Sequence, residues 1–396
     1  MTDNKIRCVV TGLGMVSAIG NTADECWENA KAGKSGIKPA TSVVTEGCYA
    51  DLGAEVNAPD LDTLPGAAEM DRVSRLCVKA AGEAVRNAGL DMKKEDGTRV
   101  GVIMGSCVGG VVSIENYYRN GEHAEDVTKM PISAIANMVA RANGAGGVVT
   151  NVANACAAGT ISIAYACDLI RAGVGDVFIA GGADAFASVP YAGFLSLHAL
   201  DALPCSPFNR CSGITLGEGS GALVIESYEH AVARGAHIIC EVLGAGVSSD
   251  AHHITAPRPD GAGQMDAIRR AIESSGLTPA DIGYVNAHGT ATVQGDIAET
   301  QATRSVFNRK VPISTIKSYT GHTLGACGAI EAILSIKMLE NNWFCPTLNL
   351  NEIDENCGDL DYIKGEGRKI DTNIIMTNNF AFGGINTSLI IKKFED

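Results

Sequence analysis

The stretch "ACAAGTISIAYACDLIRAG", residues 155–173, reads as a nearly all-apolar helix with a small-residue start, and a similar text returns as "GACGAIEAILSIKMLENN" at 325–342. A second echo runs in the same order. "AVRNAGL…RVGVIMGSCVGG" (84–110) is answered by "AIESSGL…DIGYVNAHGT" (271–290), each a helix, a Gly-Leu stop, a linker, a strand and a glycine-rich loop. Two echoes in the same order, roughly 170–190 residues apart, predict two similar halves packed together, residues 1–245 and 246–396. Working outward, the apolar runs at 99–106, 177–183, 222–227, 283–289 and 374–380 read as buried strands. Helical patterns at 72–88, 157–172, 264–275 and 325–340 lie between them. Such alternation predicts an α/β protein with sheets covered on both faces.

Composition narrows the function classes. The 396 residues are 46% hydrophobic and only 19% charged, which excludes a disordered chain. A formal net charge of −14 argues against nucleic acid and against an anionic membrane surface as partners. No apolar run reaches the ~18 residues of a membrane span, and "MTDNKIRCVVTGLG" leads directly into a strand-like segment. The 13 cysteines are scattered singly, without a CxxC pair or a Cys/His cluster of zinc-ligand spacing. A cytoplasmic protein with mostly buried, reduced thiols and no bound metal is expected.

One thiol stands apart. Cys156 follows the strand-like "VVTNVAN" and heads a helix that is apolar on most sides and is expected to be buried. A helix N-terminus favours thiolate over thiol, and Ala157, Ala158 and Gly159 leave room for a substrate. Two histidines strengthen the case: His288 ends an apolar strand in "NAHGTAT", and His322 precedes the second buried helix in "KSYTGHTLGACGAIE". If the halves are related by a pseudo-twofold, Cys156 and His322 head equivalent helices and converge, bringing one thiol and two imidazoles into a single cleft. A dinucleotide site in "TGLGMVSAIG" fails on spacing, because Ser17 stands where the third glycine belongs.

At this point the chain resembles a β-ketoacyl-acyl carrier protein synthase of the elongating Cys-His-His type, among the thiolase-like condensing enzymes. The resemblance runs from "VTGLGMVSAIGNTADECWENAKAGKSGI" (10–37) through "GEGSGALVIES", "SSDAHHITAP", "NAHGTAT…GDIAET" and "KSYTGHTLGACGAIEA" to "NNFAFGGINTSLI" (378–390). It implies a five-layered αβαβα fold of duplicated halves, a homodimer, and an acyl carrier protein as partner. No cofactor is implied beyond the phosphopantetheine that the carrier brings. It implies that Cys156 takes an acyl group and that His288 and His322, both neutral, stabilise the enolate left when a malonyl thioester loses CO₂. Lys317 and Glu299 match positions that hold the histidines electrostatically, or else form a structural ion pair. The backbone of Cys156 and Phe382 would supply a second oxyanion hole, with the Phe382 ring as gate. Thr290 and Thr292, with Phe380, match pantetheine-binding positions. Asp250 and His253 lie on the loop opposing Phe382, and Cys107 and Val108 would set the depth of the acyl pocket.

The pattern also departs from its relatives. Asn154 precedes the nucleophile unusually, and 138–156 is about four residues shorter than the usual dimer-interface stretch. Where carrier-docking cations are common, the chain has "PGAAE" (65–69), a mostly acidic "GEHAEDVTK" (121–129) and Ser206. Arg72, Arg75 and Lys79 are candidate substitutes. Alternatively, a related partner subunit supplies the docking face, as in specialised polyketide or polyene systems, where an active subunit pairs with an inactive one. A thiolase would need a second cysteine near the carboxyl terminus, where "NNFAFGG" stands instead. A non-catalytic pairing subunit would typically lack Cys156.

Overall fold

Each half carries the same five-strand pattern, and in the second half a short further strand, Asp361–Tyr362, extends the sheet edge. The first half contributes β1 (Cys8–Ser17), β2 (Val100–Gly105), β3 (Val149–Val152), β4 (Val177–Asp184) and β5 (Gly219–Ser227). They lie in the order β1-β5-β4-β2-β3, antiparallel for the first two pairings and parallel for the last two. The second half contributes β6 (Cys240–Ser249), β7 (Tyr284–Asn286), β8 (Pro312–Ser314), β9 (Ile374–Ala381) and β10 (Ile385–Lys393). Their order, β6-β10-β9-β7-β8, repeats the first with every pairing sense preserved. The sheets meet where Val9 and Val10 of β1 pair with Glu241 and Cys240 of β6. The computed structural model describes residues 6–121 and 124–395. Residue 245 falls within β6.

Helices complete five layers. In the first half α1 (Arg72–Asn87) and α2 (Ser133–Asn143) cover the outer sheet face, and in the second half α4 (Ala262–Ser275) covers it, with α5 (Val293–Phe307) packed on α4. Between the sheets α3 (Ala158–Arg171) packs on α6 (Cys327–Asn341). This is the thiolase-like arrangement of two pseudo-duplicated halves. Among the described residues, no helix is long and apolar enough to cross a membrane.

The sequence explains why α6 sits at the centre. Ile330, Ile333, Leu334 and Ile336 are completely buried, so the helix is apolar all round, as a helix between two sheets must be. Its counterpart α3 departs from expectation. Ile163, Ala166 and Ile170 are buried, but Tyr165 is 41% exposed and Ile161 and Leu169 are only half-buried. The reason is positional: α3 packs on β3, the edge strand, whose four residues are also only half-covered.

The glycines of "TGLG" have a packing role. A Cβ on Gly12 would lie 2.1 Å from the Ala84 carbonyl oxygen, and one on Gly14 would lie 1.9 Å from that of Ala80. They let α1 rest directly on β1. A Gly14→Ala variant is expected to lose about 1–3 kcal/mol by overpacking, measured as a lower urea midpoint at unchanged slope.

Candidate active site

Cys156 lies in a single 3₁₀ turn, Ala155–Ala157, that runs into α3. Ala155 has φ +46°, a left-handed conformation that costs a non-glycine residue energy and turns the chain sharply from β3 into the helix. The second half repeats the device: Leu324, at φ +52°, opens the turn Leu324–Ala326 before α6. The duplication therefore pairs Cys156 with Gly325. His322 precedes that turn, so the two helices are equivalent and the two functional residues are not.

Two distant elements deliver the imidazoles. His288 follows β7, with its ring centroid 5.3 Å from that of His322 and the rings perpendicular. The Cys156 sulfur and one nitrogen from each ring all lie within 4.8 Å of one another. The partners of the other nitrogens decide the tautomers. His322 Nδ1 accepts the Leu324 backbone N–H at 3.1 Å. His288 Nδ1 faces the Lys317 ammonium at 3.1 Å and the Asn379 amide nitrogen at 3.3 Å. Lysine has donors only, so Nδ1 is the acceptor in both rings and both protons sit on Nε2. The cleft thus presents two N–H donors beside a thiol. Burial, reinforced by Lys317, pushes His288 down to about 3, so it stays neutral at physiological pH.

The expected Lys317–Glu299 ion pair is corrected by the structure. Lys317 pairs with Glu331 of α6, and both side chains are almost completely buried. Glu299 instead accepts the backbone N–H groups of His288 and Gly289, each at 2.7 Å. It clamps the turn that carries the imidazole, and burial pushes its carboxyl up to about 8. Burial works against the Lys317 cation, but Glu331 alongside holds it above its ordinary value. The Cys156 thiol is held well below the usual thiol range by contact with the Cys107 thiol and by the two facing imidazoles, against the effect of burial.

A cavity of about 370 Å³ opens onto Cys156. Besides both histidines and Glu299, its wall includes Thr290, Thr292, Asp250, Phe380 and Phe382. The Thr290 and Thr292 hydroxyls are 2.9 Å apart. Phe382 is half-buried in the β9–β10 turn and stacks on Phe194 at 5.7 Å. Asp250 is buried and accepts the Asn386 amide at 2.7 Å. His253 does not join this wall: it is exposed, and its Nδ1 accepts the backbone N–H of Thr255 at 3.1 Å. Cys107 and Val108 are not among the residues lining this cavity, although the Cys107 thiol reaches that of Cys156. Their backbone N–H groups are held by Asp184, which also accepts the Ser106 hydroxyl at 2.6 Å and the Gly325 N–H at 2.6 Å. Burial pushes the Asp184 carboxyl up to about 6.

Glu331, Asn379 and Asp184 escaped the sequence reading. A signal existed for Glu331, a single charge inside the apolar run "GAIEAILSI", where a buried carboxylate requires a partner. The substitute docking cations also need correction. Arg72 is tied to buried Glu218 at 2.5 Å, Arg75 to Asp62 and Lys79 to Asp60, so all three are neutralised within the chain. Of the segment 121–129, residues 122 and 123 lie outside the described residues.

Family comparison agrees with this geometry. The family models described as Beta-ketoacyl synthase, N-terminal domain and C-terminal domain match residues 5–231 and 239–351. The chain belongs to the β-ketoacyl synthase family. The 3-oxoacyl-[acyl-carrier-protein] synthase 2 of Staphylococcus aureus strain COL is 38% identical over the whole of both chains. Among solved structures, the ishigamide ketosynthase/chain length factor superposes with a TM-score of 0.93 at 33% identity, covering 99% of this chain and all of that one. A beta-ketoacyl synthase from Burkholderia phymatum gives 0.91 at 37% identity, covering 98% and 100%. This β-ketoacyl synthase family member is therefore a condensing enzyme, a ketosynthase of fatty-acid or polyketide assembly.

Proposed function

We propose that the protein catalyses decarboxylative Claisen condensation on carrier-bound thioesters, working in the cytoplasm with an acyl carrier protein. The Cys156 thiolate attacks the acyl-carrier thioester, forms a new sulfur–carbon bond, and the bond to the pantetheine sulfur breaks, releasing that sulfur as a thiolate that takes a proton from solvent. A malonyl-carrier thioester then occupies the cavity. Its carbon–carbon bond to the carboxylate breaks, CO₂ leaves, and the electron pair moves onto the thioester oxygen as an enolate. The Nε2–H groups of His288 and His322 stabilise that oxygen, and one such donor is worth roughly 3–4 kcal/mol of barrier. The enolate carbon attacks the acyl-cysteine, restoring the thiolate and releasing β-ketoacyl-carrier product. Thr290, Thr292 and Asp250 in the cavity wall suit the polar pantetheine arm, with Phe380 beside it. Backbone N–H groups of Cys156 and Phe382 serve the acyl-cysteine oxygen, and the chain extends past Cys107 and Val108. The single observation that carries this reading is the pair of tautomer-locked donors beside an acidified thiol.

The test is to supply acyl-carrier donors of different chain lengths with malonyl-carrier and to follow CO₂ and β-ketoacyl-carrier by mass spectrometry. Stoichiometric formation of both supports the proposal. Acyl loading without CO₂ release would contradict it.

A specific observation favours a second reading of the assembly. The half-covered β3 edge and the exposed Tyr165 face of α3 adjoin one another, and an edge strand invites pairing with another chain. A second copy fits this face, as does a related subunit of the kind named in the ishigamide structure. Light scattering of the protein alone separates them: a dimer of identical chains with full turnover excludes the need for a partner subunit.

A further inference from the structure

Resting on the proposed condensation, the geometry points to Asn379 as a positioning residue that keeps the His288 proton on Nε2 and so sets the enolate-stabilising donor. Asn379 lies fully buried in β9, below the reacting groups. Chemistry fixes the direction of its amide. Glu331 Oε2, 2.8 Å from Nδ2, belongs to the carboxylate of the Lys317 ion pair and accepts. The Thr160 hydroxyl of α3, 2.5 Å from Oδ1, is the donor on the other side. One amide hydrogen therefore goes to Glu331. The other faces His288 Nδ1 at 3.3 Å and the Cys327 sulfur at 3.4 Å. Cys327 in turn reaches the Cys156 carbonyl at 3.2 Å.

This single amide joins the nucleophile's helix, the ion pair and the imidazole. It also stands between a carboxylate and a ring nitrogen. A nitrogen of His288 and an oxygen of Glu331 lie within 4.8 Å, so the carboxylate's charge favours a proton on the ring wherever other partners do not satisfy both groups. The groups facing His288 are Lys317, Glu331 and Cys327 below, Cys156 and His322 across the cleft, and Glu299 through the backbone. Of these, Glu331 is the carboxylate whose proton demand is shared out by Lys317 and Asn379. Removing the Asn379 donor leaves that demand to Lys317 alone and frees part of the Nδ1 lone pair. Both changes favour protonation at Nδ1, which second-shell partners of histidine normally control.

The test combines nitrogen-15 imidazole NMR with steady-state decarboxylation on the full chain. In wild type, His288 is expected to remain an Nε2–H neutral ring throughout pH 5–8. In Asn379→Ala its titration midpoint is expected to rise by at least one pH unit, with Nδ1 protonation visible in the spectrum. Malonyl-carrier decarboxylation should fall roughly 10- to 100-fold, the usual effect of losing a partner behind a functional histidine, and its acid limb should move to higher pH. Thr160→Val, which removes only the hydroxyl that orients the amide, should move the same signals by a smaller amount, and it decides the matter if Asn379→Ala does not fold. An unchanged His288 spectrum and acid limb in the folded variant, with turnover falling merely in step with stability, would overturn the inference. The NMR readout needs no turnover, so a wild type that condenses nothing refutes the proposed reaction separately.

Discussion

Cys156→Ala is expected to abolish acyl loading and condensation while leaving decarboxylation of a malonyl thioester in place. The variant lacks the thiol that, among the described residues, faces both imidazoles, so acyl transfer should fall by roughly 10⁴-fold or more, as when a nucleophile is deleted from a catalytic set. Both Nε2–H donors remain, because their tautomers are set behind the rings by Leu324, Lys317 and Asn379. Intact-mass spectrometry after exposure to acyl-carrier thioesters reads the first result, and CO₂ release from malonyl-carrier alone reads the second. Loss of both activities would show that decarboxylation needs the thiolate, and that the two donors do not suffice.

Lys317→Ala is expected to have the largest effect on stability. It strands Glu331 inside α6 with only the Asn379 amide as a partner. Breaking one side of a buried ion pair typically costs about 3–5 kcal/mol, mostly through the charge left behind. The Lys317→Met, Glu331→Gln double variant removes both charges and should recover much of that loss in urea unfolding, yet without fully restoring decarboxylation, since His288 has lost the ammonium at Nδ1 and keeps only the longer contact to the Asn379 amide. The sign of the pH dependence follows from the same pair. Lys317 is held above its ordinary value of 10.5, so on the alkaline side the pair's stabilisation disappears only as pH climbs through the raised value, and on the acid side it is lost where Glu331, pushed up by burial, takes a proton. A double variant no more stable than the single one would contradict this account.

Much of this was legible in the sequence because it depends on local pattern. Strands at 100–105, 177–184 and 374–381 and helices at 72–87, 158–171 and 327–341 fall within a few residues of their apolar runs. Cys156, His288 and His322 stood out because each sits where a small-residue loop meets a helix or strand. What could not be read was pairing across the fold. The sequence set Lys317 beside Glu299, and only the helical phase of α6 decides that Glu331 turns toward it instead. Asn379 and Thr160 are 219 positions apart, and nothing in either neighbourhood announces the other. His253 sits in a promising loop, but its side chain faces outward. Arg72, Arg75 and Lys79 look like free cations until the fold brings Glu218, Asp62 and Asp60 to them.

The nucleophile belongs to the first half of the chain, and both imidazoles belong to the second. Neither half holds the complete condensation chemistry, and the α3–α6 contact between the sheets fixes the distance between the parts. An opening that parts those two helices, even with both sheets intact, separates sulfur from donor and stops the reaction at once. Turnover is therefore a gauge of the docked state alone. In a denaturant series it should vanish with that docking and before the sheets melt, marking the order in which the molecule comes apart.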